Sequence, residues 1–318
     1  MKRPAQLLLT TSPFIKQQED TPAVMRQVIY SLVPAILAAA YYFGLSALLV
    51  ILTGGISAVA AEWIYNRLLG KTNSLRDYSA LLTGVLLALT LPPGIPLWMV
   101  VIGAFFGIYV GKLVFGGLGG NTFNPALVGR AFMQASFPVA ITTWGSFGNW
   151  SVFSQLRGPI FTLPFVQARV QAVTMATPLS NMKFGGHLAS FMDLFKGATA
   201  GSLGETSAFL LLIGGIYLVV RNYINWRIPT AIFTTIAVLA TLLNLIDPLK
   251  FAPAYFHLFS GGLMLGAIYM ATDPVTSPIS HKGCWLFGVG IGLLVYVIRT
   301  WGGLPEGVMY AILLMNGL

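Results

Sequence analysis

Cysteine and histidine are almost missing from this chain: Cys284 is the one thiol, and His187, His257 and His281 are the three imidazoles. One cysteine excludes an internal disulfide framework and any Cys-ligated metal centre built by this chain alone. The histidines are too scattered in sequence to suggest a zinc site. Charge is scarce as well. Only 8% of the 318 residues are Asp, Glu, Lys or Arg, against about 25% in a soluble domain. Met1 to Pro22 is polar, with no apolar core or small-residue cleavage site, so no cleavable signal peptide is expected.

What the chain has in quantity is apolar sequence. Its residues are 56% hydrophobic and its mean hydropathy is +0.78, which predicts an integral membrane protein in contact with lipid. The net charge is +9. In a soluble chain that balance would raise nucleic acid as a partner. Here the basic residues fall mostly between apolar blocks, so membrane topology explains them and no nucleic acid is expected.

The blocks predict an all-α membrane protein of about ten transmembrane helices. The expected spans run from about Gln27 to Phe43, Leu45 to Tyr65, Tyr78 to Leu91, Leu97 to Phe115 and Ala126 to Trp144. Five more run from about Thr206 to Val220, Pro229 to Ile246, Ala254 to Ala271, Trp285 to Ile298 and Leu304 to Met315. The third block is short for a bilayer, which needs about 20 residues. Proline-bearing polar turns at Asn121 to Pro125 and Met270 to Gly283 hint at two inverted five-helix repeats with broken helices. The expected organisation is a cytoplasmic segment 1–22, a first repeat 23–144, an extracytoplasmic loop 145–205 and a second repeat 206–318. The distribution of Lys and Arg favours cytoplasmic N- and C-termini.

The long polar interval holds Gln171 to Ser180, QAVTMATPLS, with hydroxyls at Thr174 and Thr177. Ala176 precedes Thr177 and Pro178 follows it. The proline biases Thr177 toward an extended conformation and leaves its hydroxyl poorly shielded, within reach of a modifying enzyme. An ordinary surface turn is the plain alternative. Asn124 is placed to cap a helix that starts at Pro125, and Asp273 suits a cap or turn. Arg130 and Glu62 are intramembrane charges, expected to snorkel or to pair within the protein. Cys284 is expected to be a packing residue.

Several stretches together resemble one family. TMATPL at Thr174 to Leu179 resembles the S/T-x-A-T flavin-attachment motif of the family that holds the D subunit of the Rnf complex and the B subunit of the sodium-pumping NADH:quinone oxidoreductase. FGGLGGNTFNPALVGRAF at Phe115 to Phe132, LPPGIPLW at Leu91 to Trp98, MATDPVTSP at Met270 to Pro278 and PEGVMYAILLMN at Pro305 to Asn316 are similar to the same family. The short N-terminus favours the Rnf branch.

The resemblance implies a membrane subunit of a redox-driven pump, a translocase complex that couples ferredoxin–NAD electron transfer to Na+ or H+ movement across the bacterial inner membrane. It implies FMN joined by a phosphoester to Thr177, within the motif of Thr174, Ala176 and Pro178. It also implies a second, non-covalent flavin, riboflavin, at Asn121 and Asn124; Asp273 would contact a flavin or a translocated cation. The implied partners are the other Rnf subunits, among them a second covalent-flavin subunit and iron–sulfur subunits, together with a flavin transferase. Thr177 is expected on the extracytoplasmic side. Two other readings compete: a small-solute channel or secondary transporter of inverted-repeat fold, and a scaffold that binds no flavin.

Overall fold

The computed structural model describes residues 20–70, 74–145, 148, 153–164, 166, 175–205, 207–248 and 250–318. Among these, regular structure is helical apart from one isolated bridge residue, Gly145. Helix α1 (Thr21–Phe43) is followed by α2 (Leu45–Leu68), α3 (Ser79–Leu89) and α4 (Leu97–Ile108), which continues as a π turn, Tyr109–Leu113. Then come α5 (Pro125–Ser136), α6 (Pro138–Thr142), α7 (Pro178–Ser180, running into a π turn at Asn181–Gly185) and α8 (Phe191–Lys196). The second half has α9 (Ala208–Val220), α10 (Arg227–Ile246), α11 (Ala254–Phe259) and α12 (Leu263–Leu265, with a π turn at Gly266–Met270). It closes with α13 (His281–Trp301) and α14 (Val308–Asn316).

Four helices, α1, α2, α10 and α13, are each long and apolar enough to cross a membrane. Two expected spans are broken instead. Pro138 has no N–H to continue α5, so the helix restarts as α6. Ser260 to Gly262 interrupts the eighth, where Gly261 takes φ +67° and a Cβ would run into Leu179, Glu306 and Arg299. Helix α3 ends at Leu89 because Pro92 and Pro93 follow closely.

Helix faces meet through small residues. Gly54 of α2 lies against Gly84 of α3, Gly107 of α4 against Pro125 and Gly129 of α5, and Gly288 of α13 against Ala231 of α10. Without a hydrophobic drive between helices in lipid, this close backbone approach is what gains dispersion energy.

Loop contacts sort the helix ends into two groups. At one end, the Leu45 amide donates to the Phe153 carbonyl, Leu97 to Ile160 and Leu203 to Leu91. At the other, the Asn316 side chain accepts from the Asn124 amide at 3.4 Å and donates to the Thr276 carbonyl at 3.1 Å. Asn124 Nδ2 in turn donates to the Met270 carbonyl at 3.2 Å. The Thr177 segment belongs to the first end, and Asn121, Asn124 and Asp273 belong to the second. The turn after Met270 separates α12 from the long helix α13. Its place in the chain order therefore matches Leu91 to Pro96, between α3 and α4, and not Asn121 to Pro125.

Candidate functional site

Thr177 opens the short α7 segment. Its backbone is extended, φ −69° and ψ 157°, as Pro178 behind it demands. The Ser180 amide donates to Thr177 Oγ1 at 3.2 Å, and the two hydroxyls lie 3.2 Å apart. The expectation of a poorly shielded hydroxyl is corrected: Thr177 keeps 7% of its surface. Docking of the segment is the cause. Leu179 packs with Leu194, Ala252 and Phe256. Lys183 Nζ donates to the carbonyls of Arg299 at 3.1 Å and Leu304 at 2.9 Å, and also to those of Ile298 and Gly302. Pro178 is buried at the start of the segment. Thr174 lies outside the described residues.

Ala176 and Thr177 line a cleft of about 570 Å³ with Arg130, Trp144, Glu205 and Glu306. Arg130 does not snorkel. Its guanidinium donates to the Thr90 carbonyl and to Glu306 Oε2 at 3.5 Å. Glu306 also accepts from the Gly262 amide, and Ser202 Oγ donates to Glu205 Oε1 at 2.8 Å. Beside them Arg299, 1% exposed, donates to the carbonyls of His257 at 2.6 Å and Ser260 at 3.0 Å. Glu205 lies before α9, outside the spans. Burial, then the charge of Glu306, pushes its carboxyl up to about 7, while Ser202, Arg130 and Arg299 pull it the other way.

The cleft suits a mononucleotide. Small-molecule sites run from about 300 to 1,000 Å³. Trp144, Met309 and Tyr310 give an apolar wall for a flat ring, Arg130 gives a cation for a phosphate, and Thr177 gives the hydroxyl.

At the opposite end, Asn121, Asn124 and Asp273 line one pocket with Lys112 and Thr272. Asn124 Oδ1 caps α5, accepting from the amides of Ala126 at 3.0 Å and Leu127 at 3.3 Å. Asn121 Nδ2 donates to the Phe123 carbonyl at 3.3 Å, while its Oδ1 is buried without a partner. Asp273 Oδ1 accepts from the Val275 amide at 3.2 Å, and burial raises its carboxyl above the usual range. The pocket holds about 60 Å³. That admits a few waters or a small ion but no riboflavin ring, given the ~300 Å³ at which ligand sites begin. The polar groups suit a flavin edge; the space does not.

Glu205, Glu306, Arg299 and Lys112 are not among the site residues that the sequence points to. The available signal was scarcity: the chain has nine acidic residues, and an acid amid apolar blocks is costly unless paired or used. Cys284 is buried as expected, donating to the Pro278 carbonyl at 3.1 Å and accepting from Asn225 Nδ2 at 3.1 Å.

Known proteins share this sequence along nearly its whole length. A family model described as "NQR2, RnfD, RnfE family" matches residues 8–318. The D subunit of the proton-translocating ferredoxin:NAD(+) oxidoreductase complex of Clostridium ljungdahlii is 41% identical, over 98% of this chain and 91% of that protein. Its counterpart in the Na(+)-translocating ferredoxin:NAD(+) oxidoreductase complex of Acetobacterium woodii is 42% identical, over 98% and 90%. The D subunit of the ion-translocating oxidoreductase complex of Stutzerimonas stutzeri is 42% identical, over 93% and 87%. On these matches, the chain belongs to the NQR2, RnfD, RnfE family.

Proposed function

We propose that this chain is the D-type membrane subunit of an ion-translocating ferredoxin:NAD oxidoreductase complex, and that it carries FMN on Thr177. Full-length similarity to subunits so named supports the first part. The observation that carries the second is the cleft itself, where the Thr177 hydroxyl shares one space with Arg130 and an aromatic wall. FMN, when bound, supplies one- and two-electron chemistry, and the protein supplies position and electrostatics.

This chain's residues then have separable tasks. Thr177 Oγ1 supplies the ester oxygen, and the Ser180 amide holds that oxygen at the start of α7. Arg130 offsets phosphate charge. Glu205 holds a proton near neutrality within the cleft. Trp144 and Tyr310 keep water from one side of it.

On the same proposal the chain forms two inverted five-element halves in the bacterial inner membrane. Helix α2 packs on α4 as α10 packs on α13, α4 meets α5 as α13 meets α14, and α1 meets α9. Arg67, Arg76, Arg227 and Lys282 share an end with the start of α1 and the end of α14, which the positive-inside rule makes cytoplasmic. Thr177 then faces the other side. The other Rnf subunits, a flavin transferase and lipid are the partners. Riboflavin is assigned no step here, because its pocket would first have to open.

Mass spectrometry of the chain from its native host tests the proposal. An FMN-sized addition on the Thr177 peptide, with ultraviolet fluorescence of the denatured band, is the expected result. Thr177→Ala should abolish both and stop ferredoxin–NAD turnover while the complex still assembles. Full turnover in assembled Thr177→Ala complex would sink the carrier reading and favour the scaffold or channel.

A further inference from the structure

Helices α9 and α10 follow one another with only a short turn, Arg221 to Trp226, between them. Helices joined so briefly ordinarily lie side by side. Here α9 packs on α1 and α10 packs on α13, and a groove of about 340 Å³ lies between the two consecutive helices. Its floor is Ile268, on the π turn Gly266–Met270. Ile216 and Val219 of α9 and Phe233 of α10 form its walls, and Trp226 stands where the turn enters α10. The lining is apolar almost throughout. Thr230 brings the one hydroxyl, which donates to the carbonyls of Trp226 at 2.8 Å and Arg227 at 3.0 Å. A polar solute would lose its water in this groove and gain no hydrogen bond in return. What fits is hydrocarbon.

Charge at the mouth narrows the choice of occupant. Arg221 closes α9 just beyond Val219, and Arg227 opens α10 directly after Trp226. The Arg227 guanidinium lies 5.0 Å from the centre of the Trp226 ring and 3.5 Å from Asn225 Oδ1. Arg221 is exposed, and neither arginine is ion-paired among the described residues. The positive-inside rule accounts for arginines at this level of a bundle, but it requires no groove beneath them. Two guanidiniums above an apolar slot match a phosphodiester with an acyl chain below it. Guanidinium forks fit phosphate oxygens, and basic pockets between membrane helices hold anionic headgroups. A transmembrane helix of another subunit fits less well. Close helix packing in lipid relies on small residues, and Gly215, the one glycine of the wall, is already covered from within: a Cβ there would lie 2.7 Å from Ile268 Cγ2.

We propose that the α9–α10 groove binds one anionic phospholipid, with an acyl chain against Ile268 and Phe233 and the phosphate between Arg221 and Arg227. The lipid fills the gap between a helix held by α1 and a helix held by α13. Ile224 and Ile268 also line the Asn121–Asp273 pocket, so the acyl chain backs the wall of that pocket from the membrane side. A zwitterionic lipid with the same chains fills the groove equally well, but its own cation competes with the arginines for the phosphate. Headgroup charge therefore sets the preference, and groove volume sets the capacity. Lipid binding here is independent of what Thr177 carries.

The test uses the whole complex in detergent, stripped of lipid and titrated with phosphatidylglycerol or phosphatidylcholine brominated on the acyl chains. Bromine quenches tryptophan at short range, and the difference from a Trp226→Phe complex isolates the signal of the groove. Phosphatidylglycerol should quench Trp226 at a several-fold lower concentration than phosphatidylcholine. Arg221→Gln/Arg227→Gln should remove that difference, and Val219→Phe, which fills the groove, should weaken quenching by both lipids. Equal curves for the two lipids in the unaltered complex overturn the proposal, and so does a preference that survives loss of both arginines. If the double variant does not assemble, the single variants Arg221→Gln and Arg227→Gln replace it, and an unchanged preference in both overturns the proposal. Absence of Trp226 quenching, with disulfide or bifunctional cross-linking of an Ile216→Cys variant to a sister subunit, would give the groove to a protein helix instead.

Discussion

Glu205 is the residue whose protonation the fold changes most visibly outside the spans. Its carboxyl is raised to about 7 by burial and by Glu306, whereas a free glutamate titrates near ~4.3. A raised acid binds its proton more tightly when folded. Its contribution to stability is present at low pH and is lost as pH climbs from ~4.3 toward the folded value. The melting temperature of the detergent-solubilised chain should therefore fall between pH 5 and 8, and Glu205→Gln should flatten that slope. An unchanged slope would mean that Glu205 ionises as a solvent-facing carboxylate. Thr177 carries a different lesson. Its extended backbone was legible from Pro178, but its burial was not, because the groups that dock its segment, Leu179 and Lys183, find partners on α8, α11 and the end of α13.

At the scale of elements, the Pro178–Gly185 segment behaves as a clasp. Lys183 holds it by reaching carbonyls in the last turn of α13 and in the loop after it. Charge-assisted hydrogen bonds of this kind each contribute about 1.5–3 kcal/mol. Lys183→Met should loosen the clasp without unfolding the bundle. The measurement is limited proteolysis near Thr177, together with thiol labelling of a Thr177→Cys variant in a Cys284→Ser background. Both should be faster when Lys183 is replaced, and equal rates would show that Leu179 alone holds the segment. The broken spans were partly legible. Pro138 marks the end of α5 and the LPPGIP run marks the end of α3. The break at Ser260 to Gly262 is not legible in the sequence, since two glycines in an apolar run also serve as helix contacts; only the crowding of Gly261 by Leu179, Glu306 and Arg299 explains it.

Over the whole molecule, two polar sites lie at opposite ends of one helical bundle, joined by half-length helices. Helix α5 starts at the Asn121–Asp273 end and carries Arg130 toward the Thr177 end, while α14 starts beside Glu306 and finishes at Asn316 against Asn124 and Thr276. The arrangement predicts sidedness. In a Cys284→Ser background, Ile279→Cys, whose parent side chain is 98% exposed, should label from the cytoplasmic side of intact cells or inverted vesicles. Phe161→Cys, at 64% exposure in the parent, should label only from the opposite side. Labelling of both from one side would remove the proposed topology and move Thr177 with it.

The sequence by itself determined the membrane class, the helical fold, the family and the hydroxyl at Thr177. Those follow from composition, from runs of apolar residues and from short motifs whose residues are neighbours in the chain. Tertiary structure alone decided which charges meet. Glu62 and Lys112 are 50 positions apart, and Arg130 and Glu306 are 176 apart. In an apolar interior a charge is stabilised only by the partner that packing brings to it, and no local pattern encodes a contact made across a bundle. For the same reason nothing in the sequence marks Lys112, which is among the least exposed side chains of the described residues.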